Sequence, residues 1–210
     1  MVGTSMDTLT SIFLGIGLSA ACGFRIFVPL LFMSIAALSG NLTLGAGFQW
    51  IGTYPALITF AVATGLEIGG YYIPWLDHLL DTIATPAAIV AGTVITAAMV
   101  TNMNPMLKWT LAIIAGGGAA GFVQGSTVLA RTASTATTAG FGNPILATVE
   151  LGSAMALSLM ALLLPWIAAA IVVLCVFYFG KKIVKRFRLI PVPISRRAPP
   201  RITQPDSRIP

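Results

Sequence analysis

Gly17-Leu18-Ser19-Ala20-Ala21-Cys22-Gly23-Phe24-Arg25-Ile26-Phe27-Val28-Pro29 sets a single arginine inside a small, apolar run which, with its flanks, is long enough to cross a bilayer. An arginine at mid-membrane costs roughly 2.5–3.5 kcal/mol on insertion scales, so it faces a bundle interior or a wet cavity and takes a partner there. The rest of the chain is read as what surrounds Arg25.

Composition bounds the class. With 57% hydrophobic and 9% charged residues over 210 positions, and a mean hydropathy of +0.92, the chain carries more apolar surface than a soluble domain can cover, so a polytopic membrane protein is expected. The formal charge of +6 is not a property of the body. Lys181, Lys182, Lys185, Arg186, Arg188, Arg196, Arg197 and Arg201 lie in the tail, and the residues before 181 hold three basic against five acidic groups. Nucleic acid is therefore not an expected partner. Cys22 and Cys175 stand in apolar runs without metal-ligand spacing and read as packing residues, so no disulfide, metal or cofactor is expected.

Outward from Arg25, residues 1–10 lack the basic n-region of a cleavable signal and are expected to be retained. Six spans are expected, near 11–38, 51–73, 82–101, 107–129, 144–164 and 166–180. The first is tilted or broken near Pro29, and the third bends at Thr85-Pro86. The run from Pro144 to Phe179 has 36 residues, about two spans, and is divided at Pro165-Trp166. Residues 181–210 form a basic, proline-rich tail without helical periodicity. An all-α transmembrane bundle follows. Six spans put both termini on one side, and the basic tail makes that side cytoplasmic, so a bacterial inner membrane is the expected location.

Ser19 and Gly23, and Gly117, Gly121 and Gly125, form small-residue faces for close helix packing. Ser19-x-x-x-Gly23-Phe24 is echoed by Gly117-x-x-x-Gly121-Phe122, and Pro74-Trp75 by Pro165-Trp166, which suggests two inverted three-helix repeats.

The expected topology sets Glu67, Gln124 and Glu150 in one half of the membrane, Arg25 near the middle and Arg131 at the inner boundary. Asp77, His78 and Asp81 fall just below. One reading is a cytoplasm-facing cavity in which Arg25 and Arg131, with Glu67, Gln124, Glu150 and the hydroxyls of Thr132, Ser134, Thr135, Thr137 and Thr138, hold a small anionic solute. Asp77, Asp81 and His78 then bind protons or gate. The other reading is structural: Arg25 pairs with Glu67 or Glu150 to fix helix register in an accessory subunit that binds proteins, lipids or pigments, as a homo-oligomer or within a larger complex. The hydroxyl-rich stretch 131–144 is expected as a loop, either re-entrant or outside the membrane. The tail touches anionic lipid. No nucleophile–histidine set, phosphate loop or zinc motif is present, so an enzyme is not expected.

Gly23-Phe-Arg-Ile-Phe-Val-Pro29, Tyr71-Tyr-Ile-Pro-Trp-Leu-Asp77 with Leu80-Asp81, Thr85-Pro-Ala-Ala88, Gly117-Gly-Ala-Ala-Gly-Phe-Val-Gln124, and Ser134-Thr-Ala-Thr-Thr138 through Gly142-Asn-Pro144 carry a resemblance. Together they resemble a family of bacterial integral membrane proteins known as a domain of unknown function, over about residues 10–180. The resemblance implies a membrane domain of these bounds and no particular substrate.

Overall fold

Prolines and short polar caps fix where the helices begin. Pro55, Pro74, Pro105, Pro144 and Pro165 each stand in the first turn of a helix, where a missing N–H is not needed and the fixed φ suits the helix. Thr53 Oγ1 accepts from Ala56 N at 3.4 Å, and Asn104 Oδ1 from Met106 N at 2.9 Å.

The computed structural model describes residues 2–188, apart from the side chains of 2–6, 74, 75, 77, 78 and 183–188. The helices are α1 (Val2–Cys22), α2 (Phe27–Leu38), α3 (Tyr54–Gly70), α4 (Pro74–Met99), α5 (Pro105–Leu111), α6 (Gly118–Thr138), α7 (Asn143–Leu163) and α8 (Pro165–Arg188). A π-helical turn, Ala112–Gly117, joins α5 to α6. Among the described residues there is no strand, and the architecture is an all-α membrane bundle. The segments Leu79–Met99, Pro105–Thr138, Asn143–Leu163 and Pro165–Lys182 are long and apolar enough to cross a bilayer. Of the tail expected over 181–210, residues 181–188 are helical and continue α8, and the remainder lies outside the described residues.

The stretch expected as one span over 11–38 is instead a helical hairpin. Leu18 and Cys22 of α1 share a core with Leu30 and Met33 of α2. Gly15 and Ser19 of α1 lie against Thr96 and Gly92 of α4, so these two helices are antiparallel. After α2 the chain is back beside the end of α4: Ser34 Oγ donates to Ile51 O at 2.7 Å and Gly45 N to Ala98 O at 2.8 Å. The turn, Gly23–Ile26, is the hairpin tip. Its glycine is required, because a Cβ at 23 would stand 2.5 Å from Ala120 O and from Val123 Cβ of α6. Hydropathy could not separate a hairpin from a long tilted span, since both bury the same residues.

The fold-back reverses the chain once more and so corrects the expected topology. α1 and α8 run in the same direction, with Phe13 on Trp166 at a 4.7 Å ring separation, Gly17 beside Ala168, and Ala20 packed with Val172. The start of α1 and the end of α8 therefore lie at opposite ends of the bundle, not at one. α6 is antiparallel to α4, with Gly116 against Gly92 and Gly121 against Ile89, and so runs parallel to α1. The echoing motifs on α1 and α6 are thus not inverted. Pro74 and Pro165 begin helices of opposite direction, so no single repeat operation serves both echoes.

Three local expectations also change. Thr85-Pro86 neither unwinds nor breaks α4, which runs through Pro86 with Thr85 Oγ1 donating to Asp81 O at 3.2 Å. Residues 131–138 are helix rather than loop, and the turn shrinks to Ala139–Gly142, where Ala139 (φ 51°) and Gly140 (φ 89°) are left-handed. In the glycine stripe, Gly117 and Gly121 meet Thr93 and Ile89, but Gly125 faces nothing within 4 Å. Each i to i+4 step turns a helix through about 40°, so the third glycine rotates off the contact. Gly92 and Gly116 make the closer approach, with a Cβ on Gly116 only 2.6 Å from Gly92 O. Cys22 is buried as expected, whereas Cys175 is exposed on α8.

Candidate functional site

Asp81, Arg131 and Glu150 each stand seven residues from a helix end, at Pro74, Thr138 and Asn143 respectively. Those three ends meet the same end of the bundle, so the charged groups share a layer about 10 Å in from it. The α1–α2 tip reaches this layer from the other side and delivers Arg25. α3 ends there with Glu67 and Tyr71.

The break between α1 and α2 leaves backbone groups to be satisfied away from water. Glu67 does this for α2, with Oε1 accepting from Ile26 N at 2.8 Å and Oε2 from Phe27 N at 3.1 Å. A carboxylate at the start of α2 and a guanidinium just past the end of α1 also complement the two helix dipoles. Of the two partners expected for Arg25, the structure selects Glu150: Arg25 Nη2 is 3.5 Å from Glu150 Oε2 and donates to Ala147 O at 2.9 Å. Glu67 is instead committed to backbone.

Glu150 serves both arginines. Arg131 grips it as a fork, Nε donating to Oε1 at 3.0 Å and Nη2 donating to Oε2, the oxygen that faces Arg25. Asp81 Oδ1 is 3.9 Å from Arg131 Nε. Both guanidiniums lie against the Tyr71 ring, with Cζ to centroid distances of 3.8 Å for Arg25 and 4.3 Å for Arg131. The layer is dry from the side: Arg25 is 1% exposed and Arg131 2%. Even so, Arg25 Nε and Nη1 are buried without a hydrogen-bond partner among the described residues.

The other expected site residues separate into groups. Gln124 is buried where α6 passes Gly23, but makes no hydrogen bond to the charged groups among the described residues. The hydroxyls expected to help hold an anion do not reach the arginines. Thr132, Thr137 and Thr138 bond back to carbonyls of their own helix at 2.8–2.9 Å, Ser134 faces Thr138, and Thr135 accepts from Asn143 Nδ2 at 3.2 Å across the α6–α7 turn. Once 131–138 is helical, its hydroxyls find carbonyls one turn back. The side chains of Asp77 and His78 lie outside the described residues. Among the described residues no group of histidines, cysteines or carboxylates is arranged to hold a metal.

Tyr71 is a residue of the charge layer that the sequence does not single out as a site residue. The signal was its spacing of four from Glu67, which sets both on one face. Tyr72 does turn outward, 46% exposed and bonded to Thr148 Oγ1 at 2.8 Å.

Comparison with curated proteins and with solved structures gives no match. A family profile does match, and over most of the chain. The protein belongs to the family described as a domain of unknown function, DUF4126, which spans its residues 12–183.

Proposed function

We propose that this is a transport protein of the bacterial inner membrane in which the charge layer at the hairpin tip is the site for a small anionic solute. The observation that carries the reading is Arg25, whose Nε and Nη1 have no hydrogen-bond partner among the described residues although the residue is 1% exposed. An unmet buried donor costs about 1–3 kcal/mol, more when charged, and the carboxylate or phosphate-like oxygens of a solute supply acceptors for such donors. Two guanidiniums against the carboxylates of Glu67, Asp81 and Glu150 give the layer a formal charge of −1 when all are ionised. An anion therefore enters with at least one proton, and proton-coupled movement is the expected mode. Lys181 and Lys182, exposed at the end of α8, support a cytoplasmic side for that end and the nearby charge layer by the positive-inside rule, with the start of α1 on the other side.

The test uses proteoliposomes with an entrapped pH dye and inward gradients of chloride, phosphate or lactate. Anion-dependent internal acidification is expected with the natural protein and is lost in Arg25→Met. Absence of any such proton movement in folded, reconstituted natural protein sinks the reading. A second reading rests on Glu150, whose shared pairing with two arginines is a register lock suited to a non-transporting subunit. A stoichiometric membrane partner on mild purification is its expected mark.

A further inference from the structure

Beside the charge layer, between α3 and α4, lies a groove of about 530 Å³, within the roughly 300–1,000 Å³ of small-molecule sites. α3 packs mainly on α2, which leaves the α3–α4 seam open. Leu66 and Ile83 stand at its mouth, 72% and 57% exposed, on the flank where Ile58 and Val62 also face outward. The walls are aliphatic apart from Phe27. Among the described residues the polar groups of the lining are Glu67 and Tyr71, both buried, on the floor.

Charge selects the occupant. Glu67 is the one carboxylate of the layer with no guanidinium nitrogen within 4 Å, whereas Glu150 and Asp81 both have one. Each Glu67 oxygen takes one backbone N–H, so each keeps acceptor capacity. The start of α2 contributes about half a positive charge against the full negative charge of the carboxylate, and Arg25 is engaged behind it by Glu150. The floor is left net negative. An anionic head would meet a carboxylate that has no guanidinium nitrogen within 4 Å, and a plain acyl chain would leave the carboxylate facing hydrocarbon. We infer that the α3–α4 groove binds a lipophilic organic monocation, of the quaternary ammonium or phosphonium class, with its charge at Glu67 and its apolar arms between the helices. Entry is from the bilayer, through the mouth at Leu66 and Ile83. The inference stands apart from the solute reading, which rests on Arg25.

The test is equilibrium dialysis of radiolabelled tetraphenylphosphonium against the full-length protein in phosphatidylcholine nanodiscs. One saturable site is expected, displaced by dodecyltrimethylammonium and not by dodecanoate. Glu67→Gln is expected to weaken binding about tenfold or more, since it removes a full charge at close range in a low-dielectric floor. Because that change also touches the cap of α2, Ala63→Trp and Ala87→Trp narrow the groove with Glu67 in place, and each is expected to abolish binding. Equal displacement by dodecanoate, which would mark an acyl-chain groove, overturns the proposal. So do unchanged binding in folded Glu67→Gln, binding that survives both tryptophans, or no saturable site at all. Anion-coupled proton flux that depends on Arg25 is unaffected by any of these outcomes.

Discussion

Replacing Glu150 by leucine removes the one acceptor that two buried guanidiniums share. At 3.5 Å from Arg25 Nη2, Coulomb attraction at an effective dielectric of 20 is about 5 kcal/mol, and the forked contact with Arg131 is at least as large. Most of this offsets the cost of taking the charges out of water, so the net effect is set by what is stranded. Removing one partner of a buried pair costs about 3–5 kcal/mol, and here two arginines, 1% and 2% exposed, are stranded together. The expected loss is thus about 4 kcal/mol or more, measured by reversible unfolding in mixed micelles of dodecylmaltoside and SDS. Replacing all three groups, Glu150→Leu with Arg25→Met and Arg131→Met, is expected to restore most of that stability, because neither guanidinium is then stranded and the one group that loses a cation, Asp81, is 14% exposed. A loss below about 1 kcal/mol in the single variant, or no recovery in the triple one, would refute the argument that this layer is dry and mutually paired.

Three further outcomes test the fold. Single cysteines at Asp7 and Gly40, in a background lacking Cys22 and Cys175, are expected to react with an impermeant thiol reagent from the same side of the membrane, because α2 returns the chain to the start of α1; labelling from opposite sides would rule out the α1–α2 hairpin. Gly23→Ala is expected to cost about 1–3 kcal/mol through overpacking, because its Cβ would meet the backbone of α6 at 2.5–2.8 Å, whereas Gly125→Ala, with nothing within 4 Å, is expected to be neutral or slightly stabilising. Equal melting shifts for the two would contradict the helix contact. Tyr71→Leu removes a ring held against both guanidiniums, and a stability loss of about 1–4 kcal/mol, from two desolvated cation–π contacts, is expected in the same unfolding assay.

Composition and local pattern determined the class of this protein, because apolar content and run length depend only on which residues follow one another. They also came within three residues of the helix starts at Tyr54, Pro105, Asn143 and Pro165, since proline acts within one turn, but not of those of α1, α2, α4 and α6. Arg25, Glu67, Arg131 and Glu150 stood out for the same reason: a charge in an apolar run is visible without knowing its neighbours. Direction was not visible. The run 11–38 has the hydropathy of a long span, and only the docking of α2 beside the end of α4 shows that it doubles back, which in turn puts the start of α1 and the end of α8 at opposite ends of the bundle. Pairing was not visible either. Glu67 and Glu150 are alike in sequence, yet one is taken by the N–H groups of a broken helix 40 residues away and the other by two arginines. That choice, and the use of Tyr71 between the guanidiniums, depend on which helices meet at one depth, which packing decides.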